Sequence, residues 1–173
     1  MGWRRRIVRA LAATAETVAA LCLAFMMLMT VADVTLRAID PAWRIFGMLD
    51  YVEFSLDWMI FLAIAVTMLT RAWVAVDLID NLLAGTARAL LRLIGLAIAL
   101  AATVLMGLQT ITPGLEALEW GDRTLDLGLP KFWYWLAIWV GLGLAAIGAL
   151  LVAPDEFAEG RRRRPRPARG EGA

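Results

Sequence analysis

The sequence predicts an all-α integral membrane protein with four transmembrane helices and an amphipathic interfacial arm helix between spans two and three. Three observations carry that prediction. Hydrophobic residues make up 61% of the 173-residue chain, against about 45–50% in soluble domains. The mean hydropathy is +0.71. Charges are only 19% of residues and gather in clusters between long apolar runs.

A bilayer core of roughly 30 Å needs about 20 consecutive, mostly apolar helical residues. The runs that satisfy this are 10–36, 48–70, 93–115 and 132–152. Spans three and four carry no charge; span one has Glu16 near one end and Asp33 near the other. The N-terminal "MGWRRRIVRA" has the basic flank of a secretory signal, but the apolar run that follows is too long for one. An uncleaved first span is expected instead. Residues 1–153 then form a single four-span domain, and 154–173 a disordered basic tail, rich in Pro and Gly, suited to anionic head groups.

Arginine placement sets the expected orientation. Of the 17 Lys and Arg residues, Arg37, Arg44, Arg123 and Lys131 fall on one side of the four spans and the other 13 on the opposite side. The basic side is cytoplasmic by that rule, so both termini lie inside. The tryptophans Trp43, Trp58, Trp120, Trp133, Trp135 and Trp139 collect mostly towards the outer boundary, as an aromatic belt does.

Between spans two and three, "RAWVAVDLIDNLLAGTAR" is too polar to cross the bilayer and too periodic for a loop. At about 100° per residue, Asp77, Asp80, Asn81, Ala84 and Arg88 share about 100° of arc, with Val76, Leu78, Ile79, Leu82 and Leu83 over much of the rest. This predicts an arm helix over 72–87 lying at the cytoplasmic interface. Its polar face is led by aspartates, so apolar burial or a protein partner must hold it, not anionic lipid.

The candidate functional residues are the carboxylates of span two. Asp50, Glu53 and Asp57 stand at i, i+3 and i+7, which places them on one helix face within about 60° of arc. An acid at mid-span costs about 2.5–3.5 kcal/mol on insertion scales, and less near the interface. Asp50 is therefore expected among head groups, while Asp57, two turns deeper, needs a partner, water or a proton. Three readings stay open: pairing with Arg37, Arg44 or an arginine of another subunit; a proton or cation relay; or a helix that starts later. In span one, Asp33 and Arg37 have the i, i+4 spacing of an intrahelical pair.

Several chemistries are excluded or unsupported. The chain has no histidine, which removes bis-histidine haem, most zinc sites and imidazole catalysis. The single cysteine, Cys22, offers no disulfide or metal pair. No phosphate loop, dinucleotide fingerprint or nucleophile elbow occurs, and the basic tail lacks the aromatics of a nucleic-acid site. No enzyme activity, no metal and no cofactor is expected.

In this order, the pieces resemble the small membrane subunit of tripartite ATP-independent periplasmic (TRAP) transporters, the DctQ-like family, over 10–152. The carriers are Glu53 early in span two, "RAWVAVDLI" opening the arm, and "GDRTLDLGLPKFWYWLAIWVGLGL" leading into span four. In the last, Thr124, Leu127, Leu129, Pro130 and Phe132 fall on a threonine followed by a Leu-x-hydrophobic-Pro-x-aromatic pattern. Trp73 stands near a place where many members have histidine, and Phe132 where many have tryptophan.

The resemblance implies a scaffold subunit that stabilises a large membrane subunit, the latter carrying substrate and sodium sites for organic-acid import with a periplasmic substrate-binding protein. It implies that Glu53 and Asp57 anchor inter-helix or inter-subunit contacts. Arg71, Asp77 and Asp80 belong to the arm, and Glu116, Glu119, Asp122 and Asp126 to a periplasmic loop within reach of the binding protein. Membrane lipid is the remaining partner, and the bacterial inner membrane the location. The alternative is a small multidrug-type proton-coupled exporter, a four-span homodimer using Glu53 or Glu16; a third class is a haem-free structural subunit of a respiratory complex.

Overall fold

A computed structural model describes residues 2–70 and 85–162. The expected arm over 72–87 falls almost wholly outside them, as do Arg71, Asp77 and Asp80 and the far end of the basic tail. Four long helices make up nearly all of what is described: α1 (Gly2–Ile39), α2 (Met48–Thr70), α3 (Gly85–Glu119) and α4 (Phe132–Arg162). Each contains an apolar stretch long enough to cross a membrane. A membrane core leaves the backbone no water to bond with, so each span satisfies its own N–H and C=O groups as a helix. Threonine hydroxyls follow the same rule: Thr17, Thr30, Thr35, Thr67 and Thr103 each donate back to the carbonyl four residues earlier, at 2.7–2.9 Å.

The helices do not close into a ring. α1 packs along α2, α2 along α4, and α4 along α3, while α1 reaches α4 at only a few positions. The resulting order, α1–α2–α4–α3, is a row one helix thick. The two central members, α2 and α4, run parallel: Tyr134 lies against Phe54, Gly141 at Phe61 and Gly148 at Leu69. On α4 these steps are seven residues, and on α2 seven and eight, close to the 3.5-residue period of left-handed helix packing.

Small residues make that approach possible. A Cβ on Gly141 would fall 2.6 Å from the Phe61 backbone carbonyl, and one on Gly148 would fall 2.9 Å from the Leu69 side chain. Ala137 and Ala145 beside them are completely buried, and Ala149 nearly so. Lipid tails supply little hydrophobic drive between helices, so close van der Waals packing of small residues has to hold the pair. The buried core is accordingly built largely of alanines, with Leu62, Met68, Leu69, Leu96, Tyr134, Leu142 and Val152 as its larger members. Large apolar side chains such as Leu21, Leu28, Leu105 and Ile147 point outward, as a lipid-facing surface requires.

Candidate functional site

Among the described residues, the hydrogen bonds between elements gather at one end, where the 40–47 and 120–131 connections meet; we refer to it as the loop face. Two aspartates organise it. Asp33, near the end of α1, is 4% exposed. One carboxylate oxygen accepts the backbone N–H of Ile45 at 2.9 Å, fixing the connection that leads into α2. The other pairs with Arg37 at 2.7 Å, one helical turn on. Asp40 turns the chain at the helix end by accepting the N–H of Ala42 at 2.9 Å.

Asp50 does the equivalent work for the second connection. It was expected among head groups, but it is 4% exposed and enclosed by protein. Its Oδ2 accepts the N–H of Leu127 at 2.8 Å, a bond between residues 77 apart in sequence. The Thr124 hydroxyl and the Asp126 N–H face the same carboxylate. Its backbone carbonyl accepts the Tyr134 hydroxyl at 3.1 Å. One residue of α2 thus ties down both the 120–131 loop and the first turn of α4.

The loop itself is a small hairpin-like hook. Thr124 and Leu129 are doubly linked: the Thr124 N–H donates to the Leu129 carbonyl at 2.9 Å, and the Leu129 N–H donates to the Thr124 hydroxyl at 3.0 Å. The Arg123 guanidinium donates to the Gly128 carbonyl at 3.1 Å, and Arg123 and Pro130 form an isolated antiparallel bridge. Gly128 has φ of +65°, a left-handed conformation that glycine adopts without a side-chain clash. Leu127 lies over Gly47, whose own φ is +70°; any Cβ there would overlap the leucine. Leu125, at the tip, is fully exposed. Phe132 starts α4 and stacks edge-on against Trp139, centroids 6.0 Å apart. Of the residues singled out by the family pattern, Thr124, Leu127 and Pro130 therefore belong to one clasp, and Phe132 follows it at the start of α4. Of the clasp's other half, Asp50 was a candidate carboxylate but its bond to the loop was not foreseen, and Gly47 was not suggested at all, because a backbone donor leaves no residue-type signature.

Glu53 and Asp57 take no part in the clasp. Glu53 is exposed on the side of α2 and Asp57 half-buried beside it. Among the described residues neither meets a cation; Arg37 is engaged with Asp33, and Arg44 is exposed. Tyr134 is close enough to feel all three acids of α2. The three carboxylates share one arc of the helix, yet the structure divides them: α4 and the loop cover Asp50, and the arc opens outward at Glu53. No group of three or more His, Cys, Asp or Glu able to hold a metal ion occurs among the described residues.

Four apolar helices of spanning length, tied at one end by buried aspartates, define a multi-pass α-helical membrane protein. Residues 26–154 match the family model for tripartite ATP-independent periplasmic transporters, DctQ component, and the chain belongs to that family. It is a component of a transporter family, and the exporter alternative gains no support. Neither the curated proteins nor the solved structures contain a match to the chain.

Proposed function

We propose that this chain is the scaffold subunit of a sodium-coupled TRAP importer of an organic acid, stabilising the large transport subunit without itself binding substrate. The observation that carries this reading is the open row of helices. A chain that housed its own translocation path would need polar groups converging near mid-span, where transporters build such sites. Here α2 and α4 instead expose apolar flanks, and Glu53 stands on the side of a membrane span and meets no cation among the described residues.

A charge so placed is costly in lipid and favourable against a basic or amide side chain of a partner helix. The Glu53–Asp57 face of α2 is thus assigned to the large membrane subunit. Both termini lie in the cytoplasm of an inner-membrane protein on this reading, following the 13-to-four division of basic residues. The loop face then looks into the periplasm, where the substrate-binding protein docks.

Glu53→Gln and Asp57→Asn test the assignment. Loss of co-purification with the large subunit, with the small subunit still folded, is the expected result. Retained assembly with uptake that loses its ion dependence would make these acids part of an ion path and refute the scaffold role.

A further inference from the structure

We propose that the outer face of α3 is a docking seam for a membrane-spanning helix of another polypeptide, one with a hydrogen-bonding side chain near mid-span and a basic residue at its loop-face end. α3 is the last member of the row and packs along α4. Its buried residues Leu96, Thr103, Gly114 and Ala117 form one face; Leu96 shares a core cluster with Ala145 and Ala149, and Gly114 lies against Trp139. On the opposite side, Gly95, Ala102, Gln109 and Glu116 recur every seven residues. The residues three further on, from Ile98 to Glu119, complete a heptad seam. All of these positions are exposed. At about 100° per residue they share about 120° of arc, centred about 140° from the buried face. From Gly95 to Glu119 the seam runs about 36 Å, the length of a full span.

Polar groups on the seam define what must cover it. Gln109 lies about 4.5 Å along the axis from the midpoint of Leu93–Glu119, well inside a hydrocarbon core of roughly 30 Å. Thr103 and Thr110 of the same helix donate their hydroxyls to the Ala99 and Gly107 carbonyls at 2.8 and 2.9 Å. The side chains of Gln109 and Thr112 have no hydrogen-bond partner among the described residues. Pro113 has no N–H, so the Gln109 backbone carbonyl also lacks the donor four residues on. Hydrocarbon satisfies none of these groups, whereas a neighbouring helix with an amide or hydroxyl does so across the interface. Gly95 and Ala102 let its backbone come close, and at Gly95 nothing lies within 4 Å of where a Cβ would stand.

Charge decides between a second copy and a different polypeptide. Glu116 and Glu119, expected in the loop, belong to the last turn of α3 and continue the seam. Neither pairs with a cation among the described residues. The dipole of α3 disfavours negative charge at this end, so a cation from outside is favoured twice over. A second copy inserted the same way would set these glutamates against their own kind. The complementary helix is therefore a different one, basic at that end.

The test is photo-cross-linking of the full chain in its native membrane. The cross-linker p-benzoylphenylalanine replaces Ile98, on the seam and 65% exposed, or Leu28, on the outer side of α1 and 70% exposed. The Ile98 site should give an adduct that mass spectrometry maps to a spanning segment of another polypeptide with Lys or Arg at its loop-face end. The Leu28 site should not give it. Gln109→Leu should cut the adduct at least tenfold, and so should Glu116→Arg combined with Glu119→Arg, while Gln109→Asn should restore part of it. Because Gln109 has no partner inside the described chain, Gln109→Leu should leave the detergent-unfolding midpoint of the isolated chain no lower than wild type.

An adduct joining two copies, adducts to lipid alone, or no adduct overturns the proposal. So does an adduct indifferent to both sets of substitutions or equally strong from Leu28, and so does a lowered midpoint in Gln109→Leu, which would place the glutamine's role inside the chain. The assignment of the Glu53–Asp57 face is separate: it fails if Glu53→Gln leaves the large subunit bound, whether or not the Ile98 site forms an adduct.

Discussion

Replacing Asp33 separates two interactions that a single carboxylate makes at once. One oxygen holds the Ile45 N–H at 2.9 Å and the other holds Arg37 at 2.7 Å. Hydrogen bonds to a charged acceptor contribute about 1.5–3 kcal/mol, and most of the loss on deletion comes from leaving the buried donor unpaired. The Arg37 side chain is 52% exposed, so the i, i+4 ion pair contributes only about 0.3–0.5 kcal/mol.

Asp33→Ala removes both and should cost about 2–3.5 kcal/mol by those figures. Asp33→Asn keeps an oxygen for the Ile45 N–H and should cost about 1 kcal/mol or less. Arg37→Gln should cost about 0.5 kcal/mol at most. The assay is reversible unfolding in mixed micelles, titrated with a denaturing detergent, with the three variants and wild type compared side by side. If Arg37→Gln were as damaging as Asp33→Ala, the ion pair and not the backbone bond would be holding the corner, and this reasoning would fail.

Three further outcomes follow from the same geometry. Gly141→Leu should separate α2 from α4 and cost about 3 kcal/mol or more, whereas Gly95→Ala, where nothing lies within 4 Å of the new methyl, should stabilise by about 0.5–1 kcal/mol; detergent-titration midpoints measure both. Tyr134→Phe removes one buried hydrogen bond to the Asp50 carbonyl and should cost about 0.5–1.5 kcal/mol in the same assay. Asp50→Ala should speed amide exchange at Leu127, while the Thr124–Leu129 pair stays protected; slow exchange at Leu127 in the variant would show that the hook needs no anchor in α2.

Hydropathy made the four helices legible because each span is long, apolar and bounded by charge, and nothing in the tertiary structure has to override that signal. The Asp33–Arg37 spacing is equally readable, since i, i+4 neighbours meet on any helix. Asp50 was not. Its position two residues into α2 suggested the head-group zone, and only the return of the chain 77 residues later encloses it. The donor is a peptide N–H, which every residue but proline possesses, so no spacing could have announced it. Resemblance pointed to Thr124, Leu127, Pro130 and Phe132, and the structure connects the first three through the hook that Asp50 holds. The row order α1–α2–α4–α3 was also hidden, because four spans of this length are equally compatible with a closed bundle. What selects the row is the placement of small residues: Ala137, Gly141, Ala145 and Gly148 give α4 one seam close enough for α2. Periodicity places Asp50, Glu53 and Asp57 on one arc; only the packing of α4 and the 120–131 hook shows which of the three remains uncovered.

The scaffold assignment is tested most directly by purifying the tagged chain from native membranes in mild detergent and identifying what comes with it. The account predicts a large multi-span membrane subunit at a ratio of about one to one, lost on Glu53→Gln. A homodimer without any larger partner, unchanged by that substitution, would contradict it.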